Sequence, residues 1–196
     1  MDNKIPEPIP PNSWPEELSG VLEDMQGNPI NVHRLMANNP VLLNAWWPFR
    51  NHSVNGGTLG RRKAELLILR VAVQTQSWYE WACHVDRALK IGIEIEHIFA
   101  LLKPVSEASW AEEDRALILA VDELTANHQI NLETLALLNK HYSNEQIMDL
   151  MAIQGMYLIL AAMIKTWGLA LDSDTAERVS DITDETSFLR SSGALV

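Results

Sequence analysis

Ser77, Glu80 and His84 stand at positions i, i+3 and i+7 of a segment with helical character, so they share one helix face. Glu80 and His84 are i, i+4 neighbours. At that spacing a carboxylate can hydrogen-bond an imidazole, fix its tautomer and raise its pKa. Such a pair is a general acid–base unit. Glu65 lies just before the apolar stretch Leu66-Leu67-Ile68-Leu69, where a buried carboxylate must be paired or stay protonated. Spacing alone leaves plainer readings open. Ser77 with Glu80 also fits a helix-capping box, with His84 only its helical neighbour, and Glu65 fits a residue complementing the helix dipole.

The remaining chemistry-bearing residues narrow the options. Cys83 is the single cysteine, so no intramolecular disulfide can form and a cysteine-rich metal site is excluded. On a helix it projects about 100° from His84, which suits a small buried hydrophobe. Its place beside His84 near a helix start also allows a redox thiol. Glu80 and His84 could be two metal ligands, but no third is apparent, and no metal is expected. Asn55–Gly60 lacks the lysine and the strand of a phosphate loop. Trp78 and Trp81 flank Glu80 and fit either a pocket wall or the core. Arg61, Arg62 and Arg70 offer bidentate forks for a substrate carboxylate. Arg70, inside an apolar segment, fits internal pairing equally well.

The elements that must position these residues are helical. Residues 61–74 read as a buried helix, because leucine and alanine outnumber β-branched residues over about four turns. Ser77 can cap a helix running to about Ile91 and stopped by Gly92. Asn31 can cap a helix over Val32–Ala37. Residues 41–49 suit a helix with Pro48 near its end, and 51–60 have loop composition. Further on, Trp110–Ala126 is amphipathic, Asn131 can cap Leu132–His141, and Ser143 with Gln146 forms a capping box for a long apolar helix reaching Trp167. No alternating period-two run suggests a strand. The fold class is therefore all-α, a helical bundle.

Composition sets the frame. Nearly half of the 196 residues are apolar, enough for a substantial core. A net charge of −11 argues against nucleic acid as partner. The uninterrupted apolar run within Met156–Ile164 is too short to span a bilayer, so no membrane partner is expected. Residues 1–14 lack the charge and apolar pattern of a signal peptide, and the expected location is cytoplasmic. The expected organisation is a Pro-rich arm over 1–30, a helical domain over 31–171 and a polar, partly disordered tail over 172–196.

The string Tyr79-Glu80-Trp81-Ala82-Cys83-His84, followed by Ala88 and Gly92, resembles the Y-E-W-x-x-H-x-x-x-A-x-x-x-G signature of carboxymuconolactone decarboxylase-like proteins. Arg62–Arg70 resembles their R-x-x-E-L-x-I-L-R helix, and Arg34–Pro40 resembles their short L-x-x-x-P helix end, with one residue more between Leu35 and Pro40. The resemblance implies the alkyl hydroperoxidase D-like helical bundle, no cofactor, and a homo-oligomer that is a dimer, trimer or hexamer. It implies a lyase that removes CO2 from a small carboxylated, lactone-like substrate, with His84 as acid–base, Glu80 its orienter and Glu65 a relay. Trp81, Trp78, Ser77 and Arg70 would bind that substrate. Peroxidase members of the superfamily carry Glu, eleven residues, Cys-x-x-Cys, three residues and His. In that register Glu65 and His84 match, while Ser77 and Glu80 replace both thiols. A dithiol cycle needs two thiols, so the peroxidase alternative rests on Cys83 alone. A non-catalytic helical binding protein is a further alternative.

Overall fold

The computed structural model describes residues 5–193, and all regular structure among them is helical. Two short 3-10 turns lead into α1 (Ser19–Asp24), α2 (Asn31–Met36), α3 (Pro40–Val54), α4 (Arg61–Thr75) and α5 (Trp78–Lys90). Next come α6 (Ile95–Ala100), α7 (Glu112–Asn127), α8 (Leu132–His141), α9 (Asn144–Trp167), α10 (Ser173–Val179) and α11 (Glu185–Ser192).

α4 organises the bundle. Ala64 to Val73 are all buried, so this helix is enclosed on every side by α5, α7 and α9. It divides the core. Leu67, Ile68 and Val71 join the packing of α3, α7, α8 and α9. Leu66, Leu69 and Val73 join a second cluster with Trp81, Val85, Ile98 and Phe188. A helix apolar all round has no periodic stripe, which is why its sequence also reads as a buried strand. It ends at Gln76, which adopts a left-handed φ of 53° and turns the chain into α5.

Arg70, expected as a substrate-binding fork, is instead a structural residue of α4. It is 2 % exposed, and its guanidinium donates to both carboxylate oxygens of Asp122 at 2.6 Å and to the carbonyls of Leu101 and Lys103. This ties α4 to α7 and to the turn after α6. Arg70→Ala is expected to lower unfolding stability by about 3–5 kcal/mol, because it strands buried acceptors and Asp122. Denaturant unfolding checks this.

Local capping differs from the sequence reading in three places. α3 runs through Pro48 and on to Val54, and the absent proline N–H leaves the Asn44 carbonyl without its helical donor. Asn31 does not cap α2. Its backbone N–H donates to Asp172 at 2.9 Å, so a carboxylate from beyond α9 serves that helix start. Ser77 sits at the N-cap of α5 but makes no capping bond, so the Ser77–Glu80 box is absent. The Ser143–Gln146 box of α9 is present in both directions.

α9 is long and apolar enough to cross a membrane by length and composition, with a mean hydropathy of 1.9. It nevertheless packs against α3, α4 and α7, and buries Asp149 and Gln154. Both ends of the described chain are packed. Leu18 is fully buried, and Ile9 donates its N–H to Arg34. Beyond residue 172, where composition suggests a partly disordered tail, α10 and α11 fold against α5 and bury Val179 and Phe188.

Candidate active site

α5 presents different faces to different neighbours. Trp81, Val85 and Ala88 enter the second core cluster, while Tyr79, Glu80, Cys83, His84 and Arg87 face a cavity closed by α2, α3 and α9. The expected aromatic wall is therefore elsewhere. Trp81 is fully buried, stacked on Phe188 at 5.1 Å and bonded through Nε1 to Thr183, while Trp78 packs against Phe188 at 5.9 Å. Neither lines the cavity. Ser77 is buried at the base of α5 but is not among the lining residues.

The cavity has a volume of about 70 Å³. Val32, Val54, Met156, Leu160 and Ile164 give it apolar walls, and Tyr157 meets the His84 ring edge-on at 5.1 Å. It adjoins an outer cleft of about 580 Å³ lined by Asp24, Asn51, Asp86 and Arg178 among others. Ile30, His33, Arg50, Cys83 and Arg87 line both spaces, so they form the junction.

His84 is oriented by Glu65, not by its helical neighbour Glu80. Nδ1 of His84 lies 2.6 Å from Oε2 of Glu65, and Nε of Arg87 donates to Oε1 of the same carboxylate at 3.0 Å. Burial opposes ionisation of Glu65, but His84 and Arg87 outweigh it and hold its pKa below the usual range. His84 is pushed the other way from the sequence expectation. Burial lowers its pKa, Glu65 offsets this only in part, and Arg87 and Arg50 lower it further. The resting pair is thus a Glu65 carboxylate and a neutral imidazole. An ionised carboxylate can only accept, so the proton sits on Nδ1 and Nε2 carries the lone pair.

Glu80 is the opposite case. It is 3 % exposed, and neither carboxyl oxygen has a hydrogen-bond partner among the described residues. Burial pushes its pKa up to about 8, with Ser77 and Lys165 offsetting part of the shift. At neutral pH it is a carboxylic acid. Two ionisable groups driven to complementary protonation states beside one cavity are the arrangement from which acid and base roles are assigned.

Cys83 stands at the junction, but its thiol is not activated. Burial pushes it up to about 12, and the charges of Asp172 and Glu80 act in the same direction. Among the described residues no three His, Cys, Asp or Glu side chains converge as metal ligands.

Several lining residues escaped the sequence reading. Arg87 follows Glu80 and His84 on the same helical face, a spacing open to inspection. Tyr157 is one of the few polar side chains in the apolar α9. His33, Trp46 and Arg50 come from α2 and α3, and nothing in their local sequence points toward α5.

Residues 40–123 match a model of the carboxymuconolactone decarboxylase family. No curated protein sequence matches the chain. Among solved structures, the chain is similar to the debrominase Bmp8, solved as a cysteine-to-alanine variant with 2,3,4-tribromopyrrole, at TM-score 0.77 and 15% identity over 93% of this chain and 99% of that one. It is also similar to an uncharacterized peroxidase-related protein from Ralstonia eutropha, described as an alkylhydroperoxidase AhpD core, at TM-score 0.74 and 17% identity over 88% and 92% of the two chains. A protein of unknown function from Agrobacterium tumefaciens aligns at TM-score 0.64 and 19% identity over 70% and 94%. These likenesses establish the AhpD-like helical fold.

Proposed function

We propose that this chain, whose residues 40–123 match a model of the carboxymuconolactone decarboxylase family, is a cofactor-independent lyase acting by proton transfer on a small carboxylated, lactone-like substrate. One observation carries the reading: a neutral carboxylic acid, Glu80, and a neutral imidazole with fixed tautomer, His84, line the same buried cavity.

The chemistry follows from those two states. A carboxyl group entering the cavity is desolvated and favours its neutral form. Nε2 of His84 takes its proton and CO2 departs. The bonding pair left on carbon passes into the adjacent π system, and Glu80 protonates the carbon where that pair comes to rest. One proton has left the substrate and one has entered it. Return of the proton from imidazolium to the Glu80 carboxylate resets the site. Glu65 and Arg87 act as positioning residues, holding the imidazole and stabilising its transient positive charge. The large apolar side chains exposed on α3 and α9, among them Val41, Phe49, Met148 and Ile159, support a homo-oligomer. A cytoplasmic location belongs to the same proposal.

A peroxidase reading through Cys83 draws on the position of that residue at the junction. A thiol pushed up to about 12 has little thiolate at neutral pH, and the thiolate is the attacking species. Cys83→Ser separates the two readings. The variant is expected to keep CO2 release from a lactone carboxylate within about twofold of wild type, an effect well under 1 kcal/mol. Loss of thiol-dependent hydroperoxide consumption in Cys83→Ser, with no CO2 release by the wild type, would favour the peroxidase.

A further inference from the structure

We infer that Tyr157 is the oxyanion donor of this site, its hydroxyl hydrogen-bonding the carbonyl oxygen onto which the electron pair of the broken bond is delocalised. The inference rests on the proton-transfer reading above and adds a catalytic group to it.

Tyr157 stands in α9, where Leu160 and Ile164 follow it at i+3 and i+7, and all three line the inner cavity. The chain has three tyrosines, and two of them have committed hydroxyls. Tyr79 donates to Asp172 at 2.5 Å and accepts from the Val32 N–H, while Tyr142 donates to the Glu113 carbonyl at 3.2 Å. The Tyr157 hydroxyl makes no hydrogen bond among the described residues, although the residue is only 4 % exposed. A buried phenol ordinarily finds a partner. Here its partner is a molecule held in the cavity.

The neighbouring groups already have their tasks. Nε2 of His84 takes the substrate proton, Glu80 gives one to carbon, and Arg87 is held by Glu65 and the Val54 carbonyl. None of these three is left to meet a developing oxyanion. The Tyr157 ring meets His84 edge-on at 5.1 Å, which keeps the phenol beside the group that starts the reaction. Burial pushes that phenol above its ordinary range, and Arg87 and Arg50 offset this only in part. It therefore keeps its proton at neutral pH and is a hydrogen-bond donor.

As CO2 departs, the pair of the broken carbon–carbon bond moves through the π system onto the lactone carbonyl oxygen, which becomes an enolate. The Tyr157 O–H bonds that oxygen more strongly than it bonded the neutral carbonyl, and apolar walls enlarge the difference. When Glu80 protonates carbon, the pair returns and the carbonyl re-forms. Tyr157 neither loses nor gains a proton, so the proton balance of the cycle is unchanged.

Tetronate, a five-membered lactone enolate that is ionised at neutral pH, mimics the charged intermediate, and γ-crotonolactone is its neutral counterpart. Calorimetric binding of both to wild type, Tyr157→Phe and His84→Gln tests the assignment. Wild type should bind tetronate more tightly than the neutral lactone. Tyr157→Phe should weaken tetronate by about tenfold or more, the loss of one hydrogen bond to a charged acceptor. The same variant should bind γ-crotonolactone within about twofold of wild type, because the interaction grows with the charge on oxygen. Its kcat for CO2 release should fall by about 10²–10³-fold with KM little changed, as for removal of an oxyanion-hole donor. Its Tm should not fall, because the phenylalanine ring keeps the packing on His84 and no hydrogen bond within the described residues is lost. Equal tetronate affinity in wild type and Tyr157→Phe, an equal loss for both ligands, or no preference for tetronate in wild type overturns the assignment. Each of these results leaves the proton-transfer reading standing if turnover still depends on His84. Full turnover in His84→Gln, with tetronate binding still dependent on Tyr157, does the reverse.

Discussion

His84→Gln is expected to lower kcat for CO2 release by about 10²–10⁴-fold, the range that a positioned general base supplies. The Gln amide has no basic lone pair to take a proton, but its N–H can still donate to Glu65. The buried carboxylate therefore keeps both of its present supports, the side chain at position 84 and Arg87. Stability should change little, because the severe cost arises when a buried charge loses its partner. Steady-state kinetics beside thermal unfolding separate the two effects. A variant that folds and retains wild-type turnover would contradict the role given to the imidazole.

Glu80→Gln carries the second large effect, and its signature is pH dependence. In the wild type the Glu80 acid is lost as pH rises through about 8, so kcat should fall on that alkaline limb. The variant should lose about 10²–10⁴-fold in kcat and the limb with it. Stability gives an independent reading. The folded pKa is raised above the unfolded value of about 4.3. The native state therefore holds a proton that the unfolded chain releases, and stability declines as pH increases. The favourable contribution is fully present below the unfolded pKa and is lost as pH passes through about 8. The total across that window is on the order of several kcal/mol. Removing the ionisable group should flatten the profile across it. Denaturant unfolding at a series of pH values, wild type against variant, measures the difference.

Much of the architecture was legible in the residues themselves. The capping box at Ser143 and the left-handed stop at Gly168 mark the limits of α9, and α8 falls on Leu132–His141 as its Asn131 cap suggests. These are local signals, and local hydrogen bonds decide them. The ends of α2 and α3 were harder because their determinants are distant. Asp172 serves the start of α2 from far along the chain, and helical packing carries α3 through Pro48. Residues beyond 172 look polar in sequence because only a few of them, such as Val179 and Phe188, are buried.

The candidate site divides in the same way. Glu65, Glu80 and His84 stand at spacings that place them on two successive helices, and the fold brings all three beside one cavity or its pairing partner. Which carboxylate holds the imidazole was not legible. An i, i+4 spacing makes Glu80 the natural partner, but the packing of α4 against α5 puts Glu65 there at 2.6 Å and leaves Glu80 alone. That exchange of partners changes the chemistry, because an isolated buried carboxyl is an acid and a paired one is an anion. Trp78, Trp81 and Arg70 lie close to the motif in sequence, yet helical rotation turns them into the core. Arg50 and His33 reach the site only through tertiary contact.

The central claim is that Glu80 is a buried carboxylic acid at neutral pH. Infrared difference spectroscopy of wild type against Glu80→Gln tests it most directly, through the carbonyl stretch that a protonated carboxyl shows and a carboxylate lacks. The account predicts a protonated-carboxyl band in the wild type, absent from the variant, that persists through neutral pH and disappears as pH rises through about 8. A wild-type spectrum with no such band at neutral pH, or one lost near the ordinary carboxylate range of about 4, would contradict it.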